Sequence, residues 1–165
     1  MSRMEIRPRT PEDLPACVEA LAGVQAADRY PVDWPADPRA WLTPDDIAGA
    51  WIAADSGAVA GHVILTRAME VSRLFVTPAA RGRGLAATLL DTVRAAAPGP
   101  LTLRVSSEGV AAMRFYERSG WRRVATTREP WLNTAGEPAT LHHYVSPPPG
   151  LTATSVTTTS AHRPA

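Results

Sequence analysis

Residues 73 to 86 read Arg-Leu-Phe-Val-Thr-Pro-Ala-Ala-Arg-Gly-Arg-Gly-Leu-Ala, and few folds accommodate such a run. A strand predicted over residues 69 to 76 leads through Pro78 into a glycine-rich loop. The loop opens a helix, predicted over 82 to 97, whose Leu85, Ala86, Leu89, Leu90 and Val93 recur at helical spacing. The first N–H groups of a helix have no intrahelical partner and sit at the positive end of its dipole, so this loop is an anion cradle. Gly82 and Gly84 let a phosphate approach the backbone without an intervening Cβ, and Arg81 and Arg83 can add charge-assisted bonds. A P-loop needs a Gly-Lys-Ser/Thr ending, and all 17 basic residues of this chain are arginine. Gly82-Arg83-Gly84-Leu85-Ala86-Ala87 formally fits a dinucleotide fingerprint. Against that, the strand ends several residues before Gly82, and Thr102 stands where an acidic ribose ligand is expected.

The rest of the chain reads as one mixed α/β domain. Its 165 residues suit a single core. A formal net charge of +1 argues against a surface built to coat nucleic acid. No apolar run approaches the roughly 20 residues of a membrane span, the first ten residues have no apolar signal core, and one cysteine allows no intrachain disulfide; a cytoplasmic location is expected. Residues 4 to 8 read as a strand. Thr10-Pro11-Glu12-Asp13 reads as a helix start, followed by an apolar face of Leu14, Cys17, Val18, Leu21 and Val24. Cys17 on that face is either a small core residue or a thiol available for chemistry. Prolines break residues 28 to 46 into turns, and the tryptophans there either cover the core or wall a pocket. Residues 50 to 54 and 58 to 66 form a hairpin about Asp55-Ser56-Gly57, with Val59, Gly61, Val63 and Leu65 on one face and His62 and Ile64 on the other. A strand near 101 to 105, a helix from about 109 to 119 with Gly120 as its left-handed cap, and strands near 121 to 128 and 139 to 145 complete the order. The fold class is α/β (α+β mixed): a central twisted sheet flanked by helices over residues 1 to 145. The Pro/Ser/Thr-rich residues 146 to 165 form a tail expected to be disordered.

Two segments carry a family resemblance. Arg81, Gly84 and Ala86 fill the Arg/Gln-x-x-Gly-x-Gly/Ala pattern, and the run resembles the acetyl-CoA loop of the GNAT superfamily of N-acetyltransferases. Ala112-Met113-Arg114-Phe115-Tyr116-Glu117-Arg118-Ser119-Gly120-Trp121 is similar to that family's A-x-x-F-Y-x-x-x-G-F segment, with Trp121 for the usual Phe and Gly109 where Asn often starts the helix. The resemblance covers residues 4 to 145 and implies an acetyl-CoA-dependent, metal-free enzyme that passes an acetyl group directly to an amine. It implies that Leu74, Phe75 and Val76 pair with the pantetheine arm and that the Val76 N–H polarises the thioester carbonyl. It implies that the amides of Arg81, Gly82, Arg83, Gly84, Leu85, Ala86 and Ala87 hold the pyrophosphate.

Tyr116 corresponds to the tyrosine that protonates the departing thiolate, although its inward helix position also suits plain packing. Glu70 lies where relatives carry a catalytic base, though an exposed strand-end carboxylate without a role fits as well; His62 is a third choice. Tyr30, Trp34, Trp41 and Trp131, with His142 and Tyr144, fall where relatives wall the acceptor site, and Asp28 and Asp33 could attract a cationic amine. The expected acceptor is a small-molecule primary amine; a protein or peptide acceptor, or a non-catalytic acyl-CoA sensor, are the alternatives. Relatives often dimerise through sheet edges, so a homodimer is possible.

Overall fold

The computed structural model describes residues 3–148. Its elements run β1 (Met4–Pro8), α1 (Leu14–Asp28), α2 (Pro38–Leu42), β2 (Ile47–Asp55), β3 (Ala58–Thr66), β4 (Val71–Val76), α3 (Leu85–Ala96), β5 (Thr102–Ser106), α4 (Val110–Arg118), β6 (Arg122–Leu132) and β7 (Pro138–Val145). The order is the expected one, with shifted boundaries. α3 starts three residues late because Gly82 and Gly84 take φ of +84° and +71°, outside a right-handed helix. The β2–β3 turn is the two-residue reversal Ser56-Gly57, both at positive φ.

β1, β2, β3 and β4 form an antiparallel sheet in that order, and β5, β7 and β6 form a second. Between them the backbone makes one parallel bridge, Glu70 to Thr102, with the Thr102 N–H donating to Met69 O at 3.0 Å. Past that bridge β4 and β5 diverge, and among the described residues the edge of β4 that faces away from β3 has no strand beside it. This splay makes the gap in which the site lies.

Two irregularities set the details. In β3, Gly61 opposes Ala53 but Val59 opposes Ala54, so Ala60 is an extra residue. That bulge overturns one expectation. Val59 does not share a face with Val63 and Leu65; it joins Cys17, Leu21, Val24, Leu42, Ile52 and Phe75 under α1, because an extra residue reverses the alternation. In β4, Phe75 opposes His62 and Ser72 opposes Ile64, so Arg73 and Leu74 together face Val63. Arg73 there has φ +51°.

The core follows from this frame. Val63, Leu65, Leu89, Leu90, Val93, Leu101, Leu103, Tyr116, Trp121 and Tyr144 pack between the sheets, α3 and α4. Gly61 lets α3 come close: a Cβ there would lie 3.0 Å from Leu89 Cδ1 and 3.3 Å from Phe75 O. The residues assigned to a tail begin as part of the domain. Ser146 N–H donates to Leu101 O at 2.8 Å, Ser146 Oγ accepts from Leu101 N–H at 2.9 Å, and Arg94 donates to Pro147 O at 3.3 Å. Residues 149–165 of that assignment lie outside the described ones.

Candidate active site

The cradle has the form the sequence suggests. α3 begins at Gly84 with no side-chain cap, so its first N–H groups point into the loop. At Gly82 and Gly84 a Cβ would project into open space. An unobstructed, uncapped helix N-terminus fits a pyrophosphate. The two arginines are engaged elsewhere. Arg81 donates through Nε and Nη2 to the Val76 carbonyl, both at 3.3 Å, and pairs with Asp28 at the end of α1. Arg83 lies 3.4 Å from Asp55. Asp28 is therefore a partner of the loop and not a lone attractor for an amine.

The orientation of β4 follows from two bonds. Thr77 N–H donates to Ala60 O at 2.9 Å, toward β3. Alternation then sends the N–H and C=O of Val76 the other way, and the Arg81 bond to Val76 O marks that side as the gap. Leu74 and Val76 thus present backbone to the gap, while the Phe75 side chain packs under α1.

Tyr116 enters from α4, buried, against Phe115, Trp121 and Tyr144 at centroid separations of 5.3, 5.9 and 6.2 Å. Burial raises its phenol well above the usual tyrosine value, and the Tyr30 phenol adds to the rise. Tyr30 comes from the segment after α1. Although 37 % of its surface is exposed, its hydroxyl end is enclosed, and burial pushes it up to about 12. Each of the two phenols keeps its proton at neutral pH.

Glu70 lies at the closed end of the splay. Arg104 of β5 holds both its carboxylate oxygens, at 2.8 and 3.1 Å. The expected acceptor residues fall into four groups. Tyr30 packs edge-on to Trp41 at 6.0 Å, and the Arg73 guanidinium lies 4.2 Å above the Trp41 ring. Trp34 and Trp131 are exposed, by 40 and 51 %. Tyr144 is fully buried and donates to Glu117 Oε1 at 2.9 Å, so it is core and does not wall a pocket. His142 hydrogen-bonds Thr126 at 2.9 Å on the β5–β7–β6 sheet. At the rim, Glu108 accepts from Thr134 N–H at 3.2 Å and from its hydroxyl. The Thr134 bonds hold the Glu108 carboxylate below its ordinary value, with Arg29 adding to the effect.

His62 and Cys17 leave the list of chemical groups. Cys17 is fully buried, and burial pushes its thiol up to about 11, away from reactivity. His62 is also fully buried, with both ring nitrogens hydrogen-bonded. Burial lowers its pKa to about 4, against ~6.5 in an unfolded chain. The unfolded chain therefore binds the extra proton between these values. The stability contributed by the neutral ring is complete above pH ~6.5 and falls by ~3 kcal/mol as the pH drops to ~4. Urea unfolding between pH 7 and 4 should show this slope, and His62→Gln should lack it.

Sequence reading missed Arg73, which stacks on Trp41 and occupies the β4 bulge, and Arg104, which holds Glu70. No motif marks either: a single arginine in a strand gives no sign of a left-handed backbone or of its cross-sheet partner.

A family model of the acetyltransferase (GNAT) domain matches residues 39–130. The chain belongs to the GNAT acetyltransferase family. The matched residues include the gap edge of β4, the cradle and Tyr116, and this acetyltransferase takes its acyl group from acyl-CoA. No curated protein sequence matches it. Among solved structures, the Escherichia coli ribosomal-protein-S18-alanine N-acetyltransferase is similar with a TM-score of 0.69 and 20 % identity, over 88 % of this chain and 94 % of that one. Arabidopsis thaliana NAA60 bound to acetyl-CoA gives 0.68 and 19 %, over 87 % and 97 %. A putative phosphinothricin N-acetyltransferase gives 0.67 and 20 %, over 88 % and 98 %. At these identities the likeness is one of fold. Among the described residues no helix is long and apolar enough to cross a membrane, and no three His, Cys, Asp or Glu side chains converge as a metal site.

Proposed function

We propose that this acetyltransferase moves the acetyl group of acetyl-CoA to the primary amine of a small molecule by direct attack on the thioester. The observation that carries the reading is the uncapped α3 N-terminus that follows the open edge of β4, whose Leu74 packs against the cluster holding Tyr116. The amides from Arg81 to Ala87 hold the pyrophosphate, and the backbone of Leu74 to Val76 pairs with the pantetheine arm. The Val76 N–H stabilises the oxyanion that forms when the amine adds to the carbonyl carbon. As the intermediate collapses, the C–S bond breaks and Tyr116 gives its proton to the CoA sulfur. The raised phenol value supports this, since a phenol ionised at neutral pH would have no proton to give. Glu70, its carboxylate fixed by Arg104 at the closed end of the splay, receives the amine proton only through a chain of waters along the gap.

The acceptor enters between Tyr30, Trp34 and Trp41 on one side and Trp131 on the other. The Glu108–Thr134 tie fastens the β6–β7 tip to the loop before α4, a fixed side to this opening that supports a small amine over a peptide. The test is to incubate the protein with acetyl-CoA and a panel of amines and short peptides. CoA thiol release would be followed together with the mass of the product. Turnover confined to small amines bears out the reading, turnover confined to peptides replaces the acceptor, and failure to bind acetyl-CoA refutes the function.

A further inference from the structure

His62 sits on β3, fully buried, its ring stacked on Phe75 at 5.0 Å and 15°. Its hydrogen bonds fix its tautomer. An arginine guanidinium can only donate, so Nε2 accepts from Arg9 Nη1 at 2.8 Å. Nδ1 then carries the proton and donates to the carbonyl oxygen of Arg73 at 2.9 Å. Arg9 is itself held, by Leu42 O at 2.8 Å and Thr43 Oγ1 at 2.6 Å. The chain of contacts runs from the end of α2 through Arg9 and His62 to the bulge of β4.

The far end of that chain is the strained one. Arg73 has φ +51°, a conformation a residue with a side chain adopts only when its surroundings impose it. Its carbonyl has left the β3–β4 ladder to meet the imidazole. In a planar trans peptide the carbonyl and the following N–H point in opposite directions. Holding the Arg73 oxygen against His62 therefore turns the Leu74 N–H away from β3, toward the edge that has no strand beside it. The Arg73 side chain braces the same peptide from the acceptor side, with Nε donating to Trp41 O at 3.2 Å and Nη1 to Ser72 Oγ at 2.9 Å.

We infer that His62 is a positioning residue for acetyl transfer: its Nδ1–H holds the Arg73–Leu74 peptide in the bulge, and that bulge sets where the following β4 edge, with its Val76 N–H, meets the thioester carbonyl. The inference rests on the function proposed above, in which that edge polarises the thioester.

Two substitutions separate this role from ordinary packing. His62→Asn puts an amide N–H near the position of Nδ1 and can keep the bond to Arg73. His62→Gln reaches toward Nε2 and can keep the bond to Arg9 while losing Arg73. Each removes a buried ring, so their melting temperatures should fall together. The readout is the infrared band of acetyl-CoA labelled with 13C at the thioester carbonyl, which needs no acceptor, alongside kcat and KM with the best amine of the panel.

The wild-type complex should show the band shifted to lower frequency than free acetyl-CoA. His62→Asn should keep most of the shift and of kcat. His62→Gln should lose the shift and at least about tenfold in kcat, with KM for acetyl-CoA within about twofold because the cradle is untouched. Two variants that lose shift and kcat equally, or a His62→Gln that keeps both, overturn the inference and leave the function standing. A wild-type protein that does not bind acetyl-CoA overturns the function itself. Should the variants not fold, long-range 1H–15N spectra of the wild-type histidines decide: the Nδ1–H tautomer is expected for His62, and the Nε2–H tautomer overturns the proposal.

Discussion

Tyr116→Phe should lower kcat by about a hundredfold or more and leave acetyl-CoA binding within about twofold. The substitution removes one oxygen and keeps the ring, so the contacts with Phe115, Trp121 and Tyr144 persist. The melting temperature should therefore stay close to the wild-type value. The lost activity belongs to the collapse of the tetrahedral intermediate, when the thiolate leaves without a proton. An acceptor-independent control follows: the variant should bind acetyl-CoA normally in calorimetry while releasing CoA slowly in the presence of amine. A variant with unchanged kcat would show that Tyr116 only packs.

Gly84→Asp should abolish measurable acetyl-CoA binding, raising Kd about a hundredfold or more, while the protein stays folded. Gly84 caps α3 at φ +71°, with open space where its Cβ would be. Aspartate is among the side-chain-bearing residues that best tolerate this backbone region. A carboxylate there would meet the same N–H groups that a pyrophosphate needs, and would repel the phosphates besides. The expected outcome is therefore an intact circular-dichroism spectrum and melting curve with no heat of binding. Gly84→Ala separates the two effects, since it adds a Cβ in the same backbone region without the charge. It should weaken binding by about tenfold at most. Equal loss in both variants would mean that backbone strain dominates, and retained binding in Gly84→Asp would place the pyrophosphate elsewhere.

The parts of this site legible in the sequence are those made by backbone. A strand, a proline, two glycines and an apolar helix face leave little choice about where a helix N-terminus opens, and the structure has it, uncapped, after Gly82 and Gly84. The chain reversal at Thr10 was equally legible, although its N–H and hydroxyl both donate to the Asp13 carboxylate, at 2.7 and 3.1 Å, and α1 itself begins at Leu14. What escaped reading depends on partners distant along the chain. His62 reads as a lone strand histidine, and its meaning lies in Arg9 and in the Arg73 carbonyl, 53 and 11 residues away. The extra residue at Ala60 escaped because strict alternation fits Val59, Gly61, Val63 and Leu65 equally well, and only the pairing with β2 shows where the count slips. Tyr144 misled for a simpler reason. Tyrosine suits a pocket wall and a core alike, and its hydroxyl found Glu117.

The meeting of the sheets at Glu70 has a mechanical consequence. One backbone bridge and one bidentate ion pair form the rivet between two jaws that are otherwise separate along β4 and β5. Val76 stands six residues down one jaw, ~20 Å from the rivet in an extended strand. By simple leverage on that strand length, a rotation of ~5° about Glu70 moves the thioester end by ~2 Å, enough to uncouple an oxyanion donor from its carbonyl. Glu70 and Arg104 are therefore a spacing device as well as a charge pair. Exchanging the two charges by Glu70→Arg with Arg104→Glu would preserve the rivet while removing the carboxylate proposed above as the base.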